Sequence, residues 1–205
     1  MKILIVGGGM AGTILANNLA RRLAGEMKSG TVRLTMLSAS ERHMYQPGLL
    51  YLAIGRIAPD ELYRDQRSLL EPGIEFHVDP VEEFQLDQNQ VKTKSGKTIG
   101  YDVIVIATGS RPVADEIPGL AENAEQFYTE ESAIKMFNRL RTFEGGRVVI
   151  AVGVPHKCPM APLDHLHAAR LLQGSRHSRQ GAVALGTYLI GRVHSLENRC
   201  WRAAA

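Results

Sequence analysis

A short apolar run followed at once by glycines constrains the fold more than any other feature of the chain. Residues 2–6, KILIV, are the apolar residues expected of a strand that is buried on both faces. GGGMAG follows directly, and residues 11–25 then predict a helix. Residues 31–37, TVRLTML, predict a second strand. Strand, glycine turn, helix and strand in this order are typical of a dinucleotide-binding unit rather than of an ordinary strand-to-helix turn.

The glycines of this turn have the spacing Gly-x-Gly-x-x-Gly, and each has a predicted role. Gly7 permits the tight turn, Gly9 lets the backbone approach a pyrophosphate, and Gly12 lets the helix pack close to the strand. The N-terminus of the helix directs free N–H groups and positive dipole at the phosphates. The candidate cofactor-binding residues of the turn are Gly7, Gly9, Met10, Ala11 and Gly12.

Two further expectations concern the residues around this turn. Apolar residues predict which face of the helix is buried, and they are Ile14, Leu15, Leu19 and Leu23. An acidic residue that follows the second strand usually binds a ribose hydroxyl. Ser38 stands at that place and the first acid is Glu41, so we expect one of the two to make the contact.

The rest of the first half completes an α/β pattern. Residues 58–71 predict a helix with Pro59 in its first turn, and residues 74–78 predict a third parallel strand. Residues 81–102 predict a small antiparallel meander, and residues 101–109 a further buried strand that ends at a glycine. The predicted fold class is α/β, a Rossmann-like doubly wound parallel sheet with an antiparallel β insertion.

The second half predicts a second, incomplete Rossmann-like domain. Residues 129–143 predict a helix capped by Thr129, and residues 145–153 predict another buried strand. We place the first dinucleotide-binding domain at 1–113 and the incomplete second domain at 114–205. A site for a nicotinamide dinucleotide would need a second Gly-x-Gly-x-x-Gly motif after this strand. Only Gly153 of such a motif is present. Pro155 and Pro159 offer no N–H to a phosphate, so a nicotinamide dinucleotide is not expected here.

Cys158 lies in GVPHKCPMAP, residues 153–162, at the place of that missing motif. His156 and Lys157 precede it, and a helix is expected to begin near Met160. Positive charge and a helix N-terminus both favour the thiolate, which predicts a reactive cysteine. The alternatives are a buried structural cysteine and a solvated His156. No spaced His/Cys cluster predicts a metal site.

Four segments together resemble the sulfide:quinone oxidoreductases and the related flavocytochrome c sulfide dehydrogenase flavoproteins. They are the glycine turn, YQP at 45–47, ATGSRP at 107–112 and the Lys-Cys-Pro motif. These families lie in the superfamily of FAD-dependent pyridine nucleotide-disulfide oxidoreductases, and the resemblance covers the N-terminal half only. It implies that the first half binds FAD, that Thr108 and Gly109 approach the FAD phosphates or ribitol, and that Pro47 lies near the flavin ring.

The resemblance also implies an activity. In that family the cysteine matching Cys158 lies beside the flavin and works with a second cysteine from the C-terminal half. Hydrosulfide attacks the sulfur bridge between them, and electrons pass through FAD to a quinone. The candidate catalytic residues are Cys158, Lys157 and His156, the partners are sulfide and quinone, and the intact parent is a peripheral membrane enzyme. A location in the cytoplasm or at a membrane surface is expected.

Two alternative functions stay open. One is an NADH:quinone oxidoreductase of the same fold, against which the missing second glycine motif argues. The other is a non-catalytic FAD-binding fragment or gene remnant. No nucleic-acid partner is expected, because residues 1–163 hold 18 basic and 19 acidic residues, so the net charge of +3 arises in the tail. Two cysteines make no disulfide framework, and no apolar run predicts a membrane span.

The tail departs from the rest of the sequence. Residues 164–205 contain six arginines and no lysine, whereas seven lysines precede them. Residues 190–198 again resemble the family, although the residues on either side do not. We expect residues near 164–187 and 199–205 to be read out of frame, which leaves a truncated product. A divergent basic tail is the alternative. Cys200 lies in this segment and is not expected to be the partner of Cys158.

Overall fold

The computed structural model describes residues 1–113, 118–143, 148–152 and 183–187. The chain divides into two compact units, residues 1–133 and 134–205. The domain boundary expected after residue 113 stays a prediction.

Most of the described elements belong to the first unit. The strands are β1 (Lys2–Val6), β2 (Arg33–Ser38), β3 (Arg42–Met44), β4 (Tyr63–Asp65), β5 (Glu75–Val78), β6 (Val81–Gln85), β7 (Gln90–Thr93), β8 (Thr98–Gly100), β9 (Val103–Ile106), β10 (Val148–Val152) and β11 (Val183–Thr187). The α-helices are α1 (Met10–Arg22), α2 (Ala24–Lys28), α3 (Gly48–Ala53), α4 (Leu120–Asn123) and α5 (Glu130–Arg141). Single 3₁₀ turns cover Pro59–Leu62, Arg67–Leu69 and Leu86–Gln88.

A four-stranded parallel sheet forms the centre of the first unit, in the order β5-β2-β1-β9. Successive residues of a strand point to opposite faces, so the apolar run of β1 feeds two cores. Ile3 and Ile5 face α1, while Leu4 and Val6 pack with Val91 of β7. Strands β6, β7 and β8 form an antiparallel meander. The predicted α/β class, with its parallel sheet and antiparallel insertion, is confirmed.

The buried face of α1 differs from the prediction at one position. The helix buries Gly12, Thr13, Ala16 and Ala20, and Leu15, Leu19 and Leu23 pack at the margin of the same core. Ile14 is 55% exposed, so its assignment to the buried face was wrong. At about 100° per residue, Ile14 lies about 180° around the helix axis from Leu23. Small residues occupy the centre of the face because the helix lies close to the sheet.

The helix predicted over residues 58–71 was also wrong. A 3₁₀ turn begins at Pro59, but β4 then pairs antiparallel with β3, Tyr63 opposite Met44. The carboxylate of Asp65 accepts a hydrogen bond from Ser68 N–H, which closes a turn after the strand. The prediction was wrong because helix propensity reflects neighbouring residues only, whereas the pairing with β3 joins residues that are more than 15 positions apart in sequence.

The N-terminus of α5 agrees with the sequence. Thr129 Oγ1 accepts from Ser132 N–H at 3.2 Å, and Thr129 N–H donates to Ser132 Oγ at 3.1 Å, which is a reciprocal cap. Glu130, in the first turn, accepts a hydrogen bond from the Tyr63 hydroxyl. That anionic acceptor raises the pKa of Tyr63, because it favours the protonated phenol.

In the second unit the structure describes one pair of strands. The predicted strand over residues 145–153 is present as β10, and it pairs in parallel with β11, Val148 opposite Val183. Strand β11 lies inside the segment that we expected to be out of frame, and the frame of that segment stays a prediction. Among the described residues no helix is both long enough and apolar enough to cross a bilayer, and no three potential metal ligands cluster.

Candidate dinucleotide-binding site

The carboxyl ends of three parallel strands meet at the glycine turn. Gly7, after β1, donates its N–H to Leu37 O of β2 at 2.8 Å, and Ala107, after β9, donates to Val6 O at 2.7 Å. Gly7 has φ +117°, and a Cβ on it would lie closer to Ala107 O than real Cβ atoms approach. The structure therefore brings the predicted residue Gly7 against the ATG segment, at the edge of the sheet where ligands of α/β proteins bind.

Gly12 is the contact point between α1 and the turn. A Cβ at this position would overlap the carbonyl oxygen of Gly7 and would lie 3.5 Å from Ile5 Cγ2. The helix therefore begins directly above the end of β1, with no room for any side chain. The first residues of α1 therefore lie against the turn, beside the space at its open side.

Gly9 lies open to that space. Its backbone is extended, with φ −76° and ψ −174°, and a Cβ there would meet no atom within 4 Å apart from those of its chain neighbours. The first helical hydrogen bond runs from Thr13 N–H to Gly9 O at 2.9 Å, so the N–H groups of Met10 and Ala11 precede any intrahelical partner. No acidic residue occupies the first turn of α1. This end of the helix suits an anion with oxygen acceptors.

Of the two ribose candidates, Ser38 lies against the glycine turn and Glu41 does not. Ser38 is buried at the end of β2, and its Oγ lies 2.5 Å from the place of a Cβ on Gly8. That oxygen accepts a hydrogen bond from Ser40 N–H at 3.2 Å. Glu41 is exposed, and its main-chain oxygen accepts from Gln66 N–H. The roles of both residues toward a ribose stay predictions.

The remaining cofactor candidates are all exposed. A Cβ on Gly7 would stand 3.1 Å from Thr108 N, and Gly109 follows with φ +78° and open space around it. Met10, Ala11 and Thr108 are exposed. Pro47 is exposed at the start of α3, in a loop that Tyr45 N–H ties to Leu62 O at 2.7 Å.

Sequence reasoning missed a polar cluster beneath the turn, which we call the Gly8 cluster: Thr13, His43 and Gln66. Gln66 is fully buried, and its Nε2 donates to Thr13 Oγ1 at 2.9 Å. His43 Nδ1 lies 3.0 Å from Gly8 O and 3.0 Å from Gln66 Oε1. Thr13 Oγ1 donates to the same Gly8 oxygen at 3.3 Å. The one feature of the sequence that pointed to this cluster was Thr13, a polar residue in the first turn of α1.

A second buried polar group, Asp79, stands beyond the end of β5. Asp79 N–H donates to Ser38 O at 2.9 Å, and its carboxylate accepts from the Ser95 hydroxyl at 2.6 Å and from Ser95 N–H at 3.2 Å. The Ser95 hydroxyl is the main reason why the pKa of Asp79 lies below 3.8, with smaller contributions from Thr93 and Lys97. Asp79 thus ties the end of β2 to the turn between β7 and β8.

Asp79→Asn is expected to lower the midpoint of thermal unfolding by a few degrees at neutral pH. The folded state binds the proton of Asp79 more weakly than the unfolded state, so the ionised carboxylate stabilises the fold above pH 3.8. That contribution is lost as the pH falls through the lower folded pKa, and the variant and wild type converge there. Asp87→Asn, at an exposed position, is the control. A difference that does not change between pH 7 and pH 3 would refute the role of the charge.

The candidate catalytic residues His156, Lys157 and Cys158 lie outside the described residues, as do Pro155 and Pro159. The structure describes β10, the strand after which this segment begins.

Comparison with known families gives the relationship of the chain. The model of the family described as pyridine nucleotide-disulphide oxidoreductase matches residues 1–153. The chain belongs to this family. Within it, the mitochondrial sulfide:quinone oxidoreductase of Dictyostelium discoideum is 31% identical over 170 residues, which is 78% of this chain and 36% of that protein. The chain spans about a third of the length of the curated relatives that it matches.

Two further similarities bear on the alternatives. The crystal structure of the sulfide:quinone oxidoreductase of Aquifex aeolicus superposes with a TM-score of 0.72 at 26% identity, covering 92% of this chain and 43% of that one. The alternative NAD(P)H-ubiquinone oxidoreductase C1 of Arabidopsis thaliana is 31% identical over 157 residues, 70% of this chain and 30% of that protein. The expected relationship to the sulfide:quinone oxidoreductases is confirmed.

Pyridine nucleotide-disulphide oxidoreductases are FAD-binding flavoproteins, so the prediction of FAD as the cofactor is confirmed at the level of the family. The glycine turn fits such a group. Gly9 leaves a place that a Cβ would fill, the N–H groups of Met10 and Ala11 offer donors, and Gly109 is open on the other side. Oxygen-rich phosphates are the ligands that such a set of main-chain donors suits.

Proposed function

We propose that this chain is the FAD-binding N-terminal part of an oxidoreductase that oxidises sulfide and reduces a quinone. The observation that carries the proposal is the Lys-Cys-Pro segment, residues 157–159, which follows β10 where a second glycine motif would otherwise stand. Similarity to sulfide:quinone oxidoreductases over most of the chain supports it. The balanced reaction converts hydrosulfide, a proton and a quinone to zero-valent sulfur and a quinol.

In this proposal the glycine turn holds the phosphates of FAD. Main-chain N–H groups at Gly9, Met10 and Ala11 donate to phosphate oxygens, and Ser38 lies at the place expected for a ribose contact. Thr108 and Gly109 line the side of the turn that β9 provides. When bound, FAD supplies a two-electron acceptor. The protein's own contribution is to bind it, to orient it and to bring a thiolate to it.

Cys158 is the proposed nucleophile, and Lys157 and His156 are proposed to favour its thiolate. A neighbouring cation lowers the pKa of a cysteine because it stabilises the negative sulfur. A thiolate, not a thiol, reacts with sulfur compounds. The proposed partner cysteine, quinone contacts and attachment to a membrane surface are not assigned to residues of this chain, which spans about a third of the length of the curated relatives.

An NAD(P)H:quinone oxidoreductase is the second candidate. The Arabidopsis relative, named an NAD(P)H-ubiquinone oxidoreductase, has the same 31% identity as the first sulfide:quinone relative, over 157 residues rather than 170. Pro155 and Pro159 argue against it, because a pyrophosphate needs N–H donors that proline lacks. A non-catalytic FAD-binding fragment is the third candidate.

Substitution of the two cysteines separately tests the proposed reaction. In FAD-loaded chain without oxygen, sulfide is expected to bleach the flavin of the wild type and of Cys200→Ser, whereas Cys158→Ser keeps its flavin colour. The reason is that Cys158 lies in the Lys-Cys-Pro segment after β10, whereas Cys200 lies in the tail, outside the segments that resemble the sulfide-oxidising family. FAD content is measured for each variant as the control for binding. Bleaching of Cys158→Ser at the wild-type rate would contradict the role of this thiol.

A further inference from the structure

The carbonyl oxygen of Gly8 is held by two side chains of the Gly8 cluster. His43 Nδ1 lies 3.0 Å from it, and Thr13 Oγ1 lies 3.3 Å from it. Gly8 O can only accept, so each of these atoms donates to it. Gln66 Oε1, a second neighbour of His43 Nδ1, also only accepts, because the amide Nε2 of Gln66 is directed at Thr13. Thr13 Oγ1 lies 3.4 Å from the same nitrogen, and its one proton is directed at Gly8 O. The arrangement therefore requires that Nδ1 carry the proton.

The direction of this carbonyl fixes the direction of the next N–H group. In a trans peptide the C=O and the N–H of the same plane point in opposite directions. Gly8 O points to Thr13 and His43, so Gly9 N–H points away from these side chains, to the open side of the turn. Nothing local enforces this orientation, since glycines at 7, 8 and 9 leave the backbone unusually free to rotate.

The buried polar atoms of the Gly8 cluster depend on one another for hydrogen bonds. Gln66 is fully buried and Thr13 is 7% exposed, so each polar atom needs its partner. Gln66 lies in the turn after β4, and His43 is the middle residue of β3. The antiparallel pair of β3 and β4 thus places two side chains against a turn that otherwise consists of glycines.

We propose that His43 is a positioning residue of the phosphate-binding turn, which it sets in its binding conformation through the Gly8 carbonyl. The inference rests on the proposed function, in that the turn is taken to hold the phosphates of FAD. A turn ordered before binding loses less conformational freedom when the ligand arrives. His43 therefore acts on the affinity for the pyrophosphate and not on the affinity for the adenosine part.

Two variants of His43 and two ligands test this role. Asn places its Nδ2 donor near the position of His Nδ1, whereas Leu offers none. We expect His43→Leu to weaken binding of ADP about tenfold, and His43→Asn to stay within about threefold of the wild type. Binding of adenosine, which has no phosphate, is expected to be the same in all three proteins. Isothermal titration gives the affinities, and thermal unfolding shows that each variant is folded at the temperature used.

The outcomes separate the inference from the function on which it rests. A wild type that binds ADP, with a selective loss in His43→Leu and recovery in His43→Asn, supports the positioning role. Equal affinity of wild type and His43→Leu for ADP overturns it and leaves the proposed function standing. A parallel loss for ADP and adenosine also overturns it, because it indicates general damage to the unit. A wild type that binds no ADP overturns both.

Discussion

Gly9→Ala is expected to weaken binding of FAD by about tenfold to a hundredfold while the first unit stays folded. The place of the new methyl group is open, with no atom within 4 Å other than those of the residue and its chain neighbours, so the fold has room for it. The methyl group stands where a phosphate oxygen would approach the N–H groups of the first helical turn. Charge-assisted hydrogen bonds to a phosphate are each worth about 1.5–3 kcal/mol, and the loss of one accounts for the effect.

Gly25→Ala is the matched control for this variant. Gly25 also has open space around its Cβ position, and it lies in the short helix α2 at the far end of α1 from the turn. It is expected to bind FAD as the wild type does. Equilibrium titration of the flavin gives both affinities, and thermal unfolding gives both stabilities. If Gly9→Ala bound FAD with wild-type affinity, the phosphates would lie elsewhere.

Gly12→Ala is expected to destabilise the chain by about 3 kcal/mol, since an overpacked contact between main-chain atoms has no side chain that could yield. A Cβ on Gly12 would overlap the carbonyl oxygen of Gly7, so α1 must move away from the end of β1. The midpoint of thermal unfolding should fall by roughly 6–12 °C. FAD affinity should fall as well, because the same movement displaces the donors.

Helix propensity alone predicts the opposite sign for Gly12→Ala. Alanine in an exposed helix stabilises by about 1 kcal/mol relative to glycine. Gly25→Ala, in a helix with no crowding, should show that gain, so the two substitutions are expected to move stability in opposite directions. A rise in the unfolding midpoint of Gly12→Ala would show that the helix and the turn are less tightly packed than the structure has them.

The parallel sheet and the glycine turn could be predicted because their causes are local. The first 22 residues contain an apolar run that predicts β1 and three glycines at fixed spacing that predict the turn. They also contain the helical pattern of α1, which Gly12 allows to pack close to the strand. The cap of α5 by Thr129 was equally local. In each case the residues that decide the structure are neighbours in the chain, so a single sequence contains the information.

The parts that could not be predicted depend on contacts distant in sequence. Residues 63–65 become a strand because β3 is available to pair with them. Gln66 is buried because Thr13, 53 positions earlier, accepts its amide. Ile14 was assigned to the wrong face because apolar character was weighed above the small residues that a close helix–sheet contact requires. The Gly8 cluster therefore appears only when the fold has assembled it.

Strand β9 illustrates the same distinction at the edge of the site. Its four residues, VIVI, predict a fully buried strand, and it does pair in parallel with β1. Val103 and Ile106 are nevertheless 44% and 54% exposed, because β9 is the last strand of the described sheet on that side. Apolar sequence gives the strand, whereas its position in the sheet decides how much of it is covered.

The visible spectrum of the FAD-loaded chain, recorded without oxygen before and after sulfide and then NADH, distinguishes the proposed sulfide reaction from the NAD(P)H alternative. We expect a coloured protein whose flavin bands are bleached by sulfide and are unchanged by NADH. Bleaching by NADH and not by sulfide would contradict the sulfide proposal in favour of the NAD(P)H alternative. A protein that stays colourless in the presence of FAD would contradict the claim that the glycine turn of this chain holds the cofactor.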